Sequence, residues 1–171
     1  AEMLQPPLTP AEFNIYRGHI NAINGGSNPL SYSSASTSTT RDVIRSYFGI
    51  SQDERTVLCL LSSSDENDAM WAALLNPPDR HYTKDESTVQ QLIFLAKSRP
   101  DVKFIARVHP RMFPNRRDSH ESPLLKELWR DLSEAPSNLL LNLPSHGFSF
   151  LDMASASDAA LTWRSSTGVF V

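Results

Sequence analysis

From Thr40 onward the chain alternates two kinds of segment, and this alternation restricts the fold more than any other feature. The first kind is an apolar run of strand length, found at residues 56–61, 102–108, 138–143 and 159–163. These runs are read as apolar throughout, which suits strands buried on both faces rather than on one. The second kind carries apolar residues at helical spacing. Residues 86–99 place Val89, Leu92, Ile93 and Ala96 inward and close at Pro100, and residues 124–132 form another such segment. Ser149 can cap a short helix running through Ala156. Ahead of the first strand, Thr39 or Thr40 can cap a helix carrying Val43, Ile44, Tyr47 and Phe48, which Gly49 stops. Apolar strands interleaved with amphipathic helices predict an α/β domain: a Rossmann-like, doubly wound parallel sheet flanked by helices.

The first 39 residues follow a different pattern. Pro6, Pro7 and Pro10 break up the start, Gly25, Gly26 and Pro29 follow, and residues 31–40 are a polar run dominated by Ser and Thr. Such a run buries too little apolar surface to offset its ordering entropy. A short helix over residues 12–23 fits this stretch, with Phe13, Ile15, Tyr16 and Ile20 roughly on one face. The expected organisation is a linker or interdomain segment over 1–39 and one domain over 40–171, truncated at its carboxyl end. The 171 residues are enough for one domain with a real core.

Composition narrows the function classes. A 40% hydrophobic and 20% charged chain is globular in character, and a net charge of −3 offers no general basic field for a nucleic acid. Arg111, Arg116 and Arg117 form a local basic cluster, read as a solvated loop, with a phosphate or membrane surface as the alternative. The single Cys59 sits in an apolar run, reads as a core residue and points to a reducing compartment. No run approaches the roughly 18 apolar residues of a membrane span, and no signal-peptide pattern opens the chain.

In a doubly wound sheet, ligands bind at the carboxyl ends of the strands. The residues expected there are Ser62, Ser63, Ser64, Asp65 and Glu66; then Arg107, His109, Pro110 and Arg111; then Pro144, Ser145, His146 and Gly147; then Arg164, Ser165, Ser166, Thr167 and Gly168. The opposite strand ends look ordinary. Proline pushes its predecessor into an extended conformation, so His109 is held at a strand mouth, able to meet a phosphate or sugar hydroxyl. The plainer reading is a histidine that satisfies a loop carbonyl; flanking Arg107 and Arg111 favour ligand contact. Ser165, Ser166, Thr167 and Gly168 suit either an anion site at a helix start or a simple cap. Ser63 and Ser64 suit a weaker version of that site or a turn. Asp65 and Glu66 suit a base or hydroxyl acceptor, or acids that compensate a helix dipole. His19, His81 and His120 suggest no metal cluster, and the chain has no Walker loop, GxSxG elbow or GxGxxG fingerprint.

As an ordered set, these segments resemble bacterial capsule and surface-polysaccharide glycosyltransferases of the GT-B type. The resemblance runs through residues 56–66, 103–111, 138–144, 152–158 and 165–168, and covers about 40–171. The His109-Pro110 and Ser165-Ser166 pairs are similar to those of transferases that use CMP-activated acidic sugars. CDP-glycerol-type polymerases look similar in the same two places, so the donor stays open. The resemblance implies the donor-binding, carboxyl-terminal half of such an enzyme. His109 would contact the nucleotide phosphate, with Ser165, Ser166 and Thr167 binding that phosphate. It implies a nucleotide-sugar donor, a saccharide acceptor, no cofactor and no nucleic acid, in the cytoplasm or at the periphery of the inner membrane. An N-terminal GT-B domain would hold the acceptor, so this chain is expected to be incomplete as an enzyme. Two other functions remain open: a non-catalytic Rossmann-like module docking through its sheet mouth or Trp71, Trp129 and Trp163, and half of a nucleotide-sugar epimerase.

Overall fold

The computed structural model describes residues 9–24, 39–62, 88–115 and 119–162. Its first element, helix α1 (Pro10–Asn24), begins in a capping box. The Glu12 amide donates to Thr9 Oγ1 at 3.3 Å, and the Thr9 amide donates to the Glu12 carboxylate at 2.7 Å. Pro10 takes the first helical position, where a missing N–H costs nothing. Phe13, Ile15 and Tyr16 are exposed on this helix.

The remaining elements are α2 (Arg41–Tyr47), β1 (Arg55–Leu60), α3 (Thr88–Ser98), β2 (Val102–Arg107), α4 (Leu124–Leu132), β3 (Leu139–Asn142), α5 (Phe150–Ser155) and β4 (Ala159–Thr162). Two single-turn 3-10 helices, Pro110–Met112 and Pro144–His146, follow β2 and β3. The four strands form one sheet in the order β3-β2-β1-β4, with every pairing parallel. This is the α/β, Rossmann-like arrangement that the alternation predicts.

Side-chain alternation divides the core into two layers. On one face, Cys59, Phe104, Ala106 and Leu139 meet Leu92, Ile93 and Ala96 of α3 and Leu125, Leu128 and Leu132 of α4. On the other, Leu58, Leu60 and Ile105 meet Ile44 of α2 and Met153 of α5. The chain steps from β1 through β2 to β3 in one direction, then returns past both to reach β4. Right-handed crossovers require helices on opposite faces for opposite directions of travel, which is where α4 and α5 lie.

The cap of α2 holds in position only, and the expected burial of β4 fails. Helix α2 buries Ile44 and Arg45, whereas Val43 and Tyr47 are each 55% exposed. Its N-cap, Thr40, makes no side-chain capping bond. Strand β4 was expected to be buried on both faces, yet Ala159, Leu161 and Thr162 are exposed. Among the described residues, the helices pack on β1, β2 and β3, and β4 pairs with β1 at the margin of that cover.

The amino ends of the strands are not ordinary either. Arg45 is 1% exposed, and its guanidinium donates to the carbonyls of Ser51 and Glu54, both at 2.5 Å, to Thr56 Oγ1 at 3.1 Å and to the Ala156 carbonyl at 3.3 Å. Nearby, the Asp158 carboxylate accepts from the Thr56 amide at 2.8 Å and from Arg41 at 2.7 Å. A buried cation is tolerable when neighbouring carbonyls replace its water. Here they fasten α2, β1, β4 and the end of α5 to one another.

Candidate functional site

The strand order reverses between β1 and β4, and the carboxyl ends beside that reversal are where a doubly wound sheet opens a crevice. Register sets the level of each end. Leu60 lies opposite Arg107 on one side and Thr162 on the other, and Arg107 lies opposite Asn142. The Leu61 amide donates to the Arg107 carbonyl at 3.1 Å, and the Val108 amide to the Asn142 carbonyl at 3.0 Å. Ser62, His109 and the turn after β3 therefore follow strand ends of nearly equal height. The Ser62 hydroxyl is buried there with no hydrogen-bond partner among the described residues.

His109 leaves β2 in an extended conformation, φ −63° and ψ 130°, as its position before proline requires. Its Nδ1 accepts from the Arg111 amide at 3.2 Å, so the imidazole caps the turn Pro110–Met112. Met112 is buried beneath that turn and anchors it. With Nδ1 serving as an acceptor, a neutral ring carries its proton on Nε2 and is a donor at that atom. Both His109 and Arg111 are partly exposed.

Arg107 behaves differently from its neighbours. Its guanidinium is buried and donates to Asn142 Oδ1 and, at 3.0 Å, to the Phe148 carbonyl. Burial pulls its pKa down to about 10, while the charge of Asp152 opposes that shift. The group stays protonated at neutral pH. Asn142 and Asp152 are themselves buried, and Asn142 Nδ2 and Asp152 Oδ2 lack hydrogen-bond partners among the described residues. Asp152 is placed by a helix start: Ser149 Oγ accepts from the Asp152 amide at 3.0 Å and caps α5.

The turn after β3 contains an aromatic group. His146 Nδ1 accepts from the Leu143 amide at 3.4 Å, and Gly147 closes the turn at φ 75°. Tyr47 reaches over from α2, its ring 5.2 Å from His146 and 5.1 Å from Phe148. Partial burial in this cluster lowers the His146 pKa from its ordinary value.

The structure thus brings Ser62, Arg107, His109, Pro110, Arg111 and His146 to one edge of the sheet. Ser63, Ser64, Asp65, Glu66, Arg116, Arg117, Ser165, Ser166, Thr167 and Gly168 lie outside the described residues, as do His81, Trp71 and Trp163. Sequence reasoning missed Asn142 and Asp152. The available signal was a polar residue closing an apolar strand, one strand over from Arg107 and in register with it. Among the described residues, no group of three or more His, Cys, Asp or Glu could hold a metal ion. None of their helices is long and apolar enough to cross a membrane. No protein family, curated protein or solved structure matches the chain.

Proposed function

We propose that this chain is the donor-binding half of a GT-B-type glycosyltransferase that uses a nucleotide-activated sugar in surface-polysaccharide synthesis. The observation that carries the reading is the location of His109-Pro110. This motif stands at the mouth of β2, one strand removed from the β1/β4 point where the parallel sheet reverses its order and on the carboxyl edge where such sheets bind ligands. In this reading the Nε2–H of His109 donates to a phosphate oxygen of the nucleotide. Ser165, Ser166 and Thr167 add hydroxyl donors to the same phosphate, following the resemblance. By the resemblance a CMP-sugar or a CDP-activated donor fits the site. Catalysis then consists of holding the donor and stabilising the departing phosphate. The acceptor would be held by a separate domain.

Calorimetric titration of the chain with CMP, CDP, UDP and GDP tests the proposal, and binding of none of them at millimolar concentration would defeat it. The exposed Phe13, Ile15 and Tyr16 of α1, with Leu161 on β4, favour a second reading as a non-catalytic partner module. Stoichiometric capture of one protein partner, together with no nucleotide binding, would select that reading.

A further inference from the structure

We infer that Arg107 is a positioning residue of the strand mouth rather than a contact for the donor, an inference that rests on the donor-site reading. Its guanidinium is turned inward onto Asn142 at the end of β3 and onto the Phe148 carbonyl in the following turn. It also lies within the influence of the Asp152 charge in the first turn of α5. The carbonyl of the same residue accepts from Leu61, just past β1. One buried residue thus connects the ends of three strands to the start of α5.

His109 departs from the sheet two residues later. Its Nδ1 is engaged by the Arg111 amide, so the ring moves as a unit with its turn. Where that turn sits depends on where β2 ends, and Arg107 fixes that end against β1 and β3. Both bonds leave one nitrogen, Nη1, whose two hydrogens reach Asn142 and Phe148 together. A lysine would keep the positive charge near Asp152, but its ammonium, on a flexible stem without the planar guanidinium, would not reproduce the position of Nη1. Contact between Nη1 and a donor phosphate would strand a buried Asn142 oxygen and the Phe148 carbonyl, and the rest of the guanidinium belongs to a side chain that is 8% exposed.

The test compares Arg107→Lys with Arg45→Lys, the latter at the opposite end of the sheet, in the full chain. Three quantities are read: melting temperature, amide hydrogen exchange and calorimetric affinity for CMP and CDP. In Arg107→Lys, exchange should quicken at the Arg111 amide, bonded to His109, and at the Gly147 amide, bonded to the Pro144 carbonyl. Nucleotide affinity should fall about three- to tenfold, as for a misplaced hydrogen bond. Arg45→Lys should lower the melting temperature and leave affinity unchanged. Unaltered exchange in Arg107→Lys overturns the inference, whether affinity is kept or lost; lost affinity with unaltered exchange would mark a direct contact. If the parent binds neither nucleotide, the donor-site reading fails by itself, and the exchange comparison still decides whether Arg107 positions the turns. Should Arg107→Lys fail to fold, Asn142→Ser removes one of its two acceptors, and the same readings apply.

Discussion

Replacing Arg45 with methionine isolates the amino-end hub, because the thioether chain refills much of the space of the arginine stem and removes its donors. Four acceptors lose a partner. The Ser51 and Glu54 carbonyls sit in partly buried contacts, where water can replace the guanidinium. Thr56 Oγ1 and the Ala156 carbonyl sit in buried ones, where it cannot. Each buried acceptor left unpaired costs roughly 1–3 kcal/mol, and relief from desolvating the guanidinium offsets part of that. The expected net loss is about 2–5 kcal/mol, a large share of the roughly 5–15 kcal/mol that holds a typical domain. At about 2–4 °C per kcal/mol for a chain of this size, the melting temperature should fall by about 4–20 °C. Urea denaturation followed by circular dichroism measures the free energy directly. Arg45→Lys, which keeps the charge and three donors, should fall between parent and Arg45→Met. A loss below about 1 kcal/mol in Arg45→Met would refute the reasoning, since the buried acceptors would then have found other partners.

Three further predictions follow from the same geometry. Asn138 Nδ2 donates to the carbonyls of Ala96, Arg99 and Val102 at 2.9–3.0 Å, joining the end of α3 to the start of β2. Asn138→Ala should cost about 2–4 kcal/mol in urea denaturation. At Gly147, φ is 75° and an added Cβ would meet nothing within 4 Å, so Gly147→Ala should cost about 1–2 kcal/mol, all of it backbone strain. The Asp158 carboxyl is held below its ordinary 3.8 by its bond from Arg41 and then by the Thr56 amide. A depressed folded pKa contributes stability above the unfolded value and loses it as pH falls through the folded one. The stability gap between parent and Asp158→Asn should therefore be flat above about pH 5 and close below about pH 4; a gap unchanged at about pH 2 would contradict this.

Much of the sheet was legible because local periodicity and burial agree there. Helix α4 spans 124–132 as expected, α3 buries Leu92, Ile93 and Ala96, and each strand falls within a residue or so of its apolar run, up to the end of the described residues at 162. What periodicity reads is the type of a side chain, not its distant partner. Nothing local marks Arg45, because its acceptors lie 6 to 111 residues away in sequence. The same limit hid the Arg107, Asn142 and Asp152 group, which exists only once β2 and β3 are paired in register. Strand β4 has an apolar sequence and an exposed setting, a difference that depends on which strands the helices cover. His109 was legible for a local reason: proline fixes its backbone whatever the rest of the chain does. Its capping bond was not foreseen: the plainer reading had the ring satisfying a loop carbonyl, whereas Nδ1 accepts from the Arg111 amide.

The central claim is that a nucleotide phosphate sits at the carboxyl edge of the sheet, against His109. Titration of the isotopically labelled chain with CMP, followed by amide chemical shifts, tests it most directly. The account predicts shifts concentrated at Ser62, His109 and Arg111, with little change at Thr56 and Asp158 on the opposite edge, and their loss in His109→Ala. The charge-assisted bond removed by that substitution should weaken binding about ten- to a hundredfold. Shifts centred on the amino edge, or an undiminished response in a folded His109→Ala chain, would contradict the account.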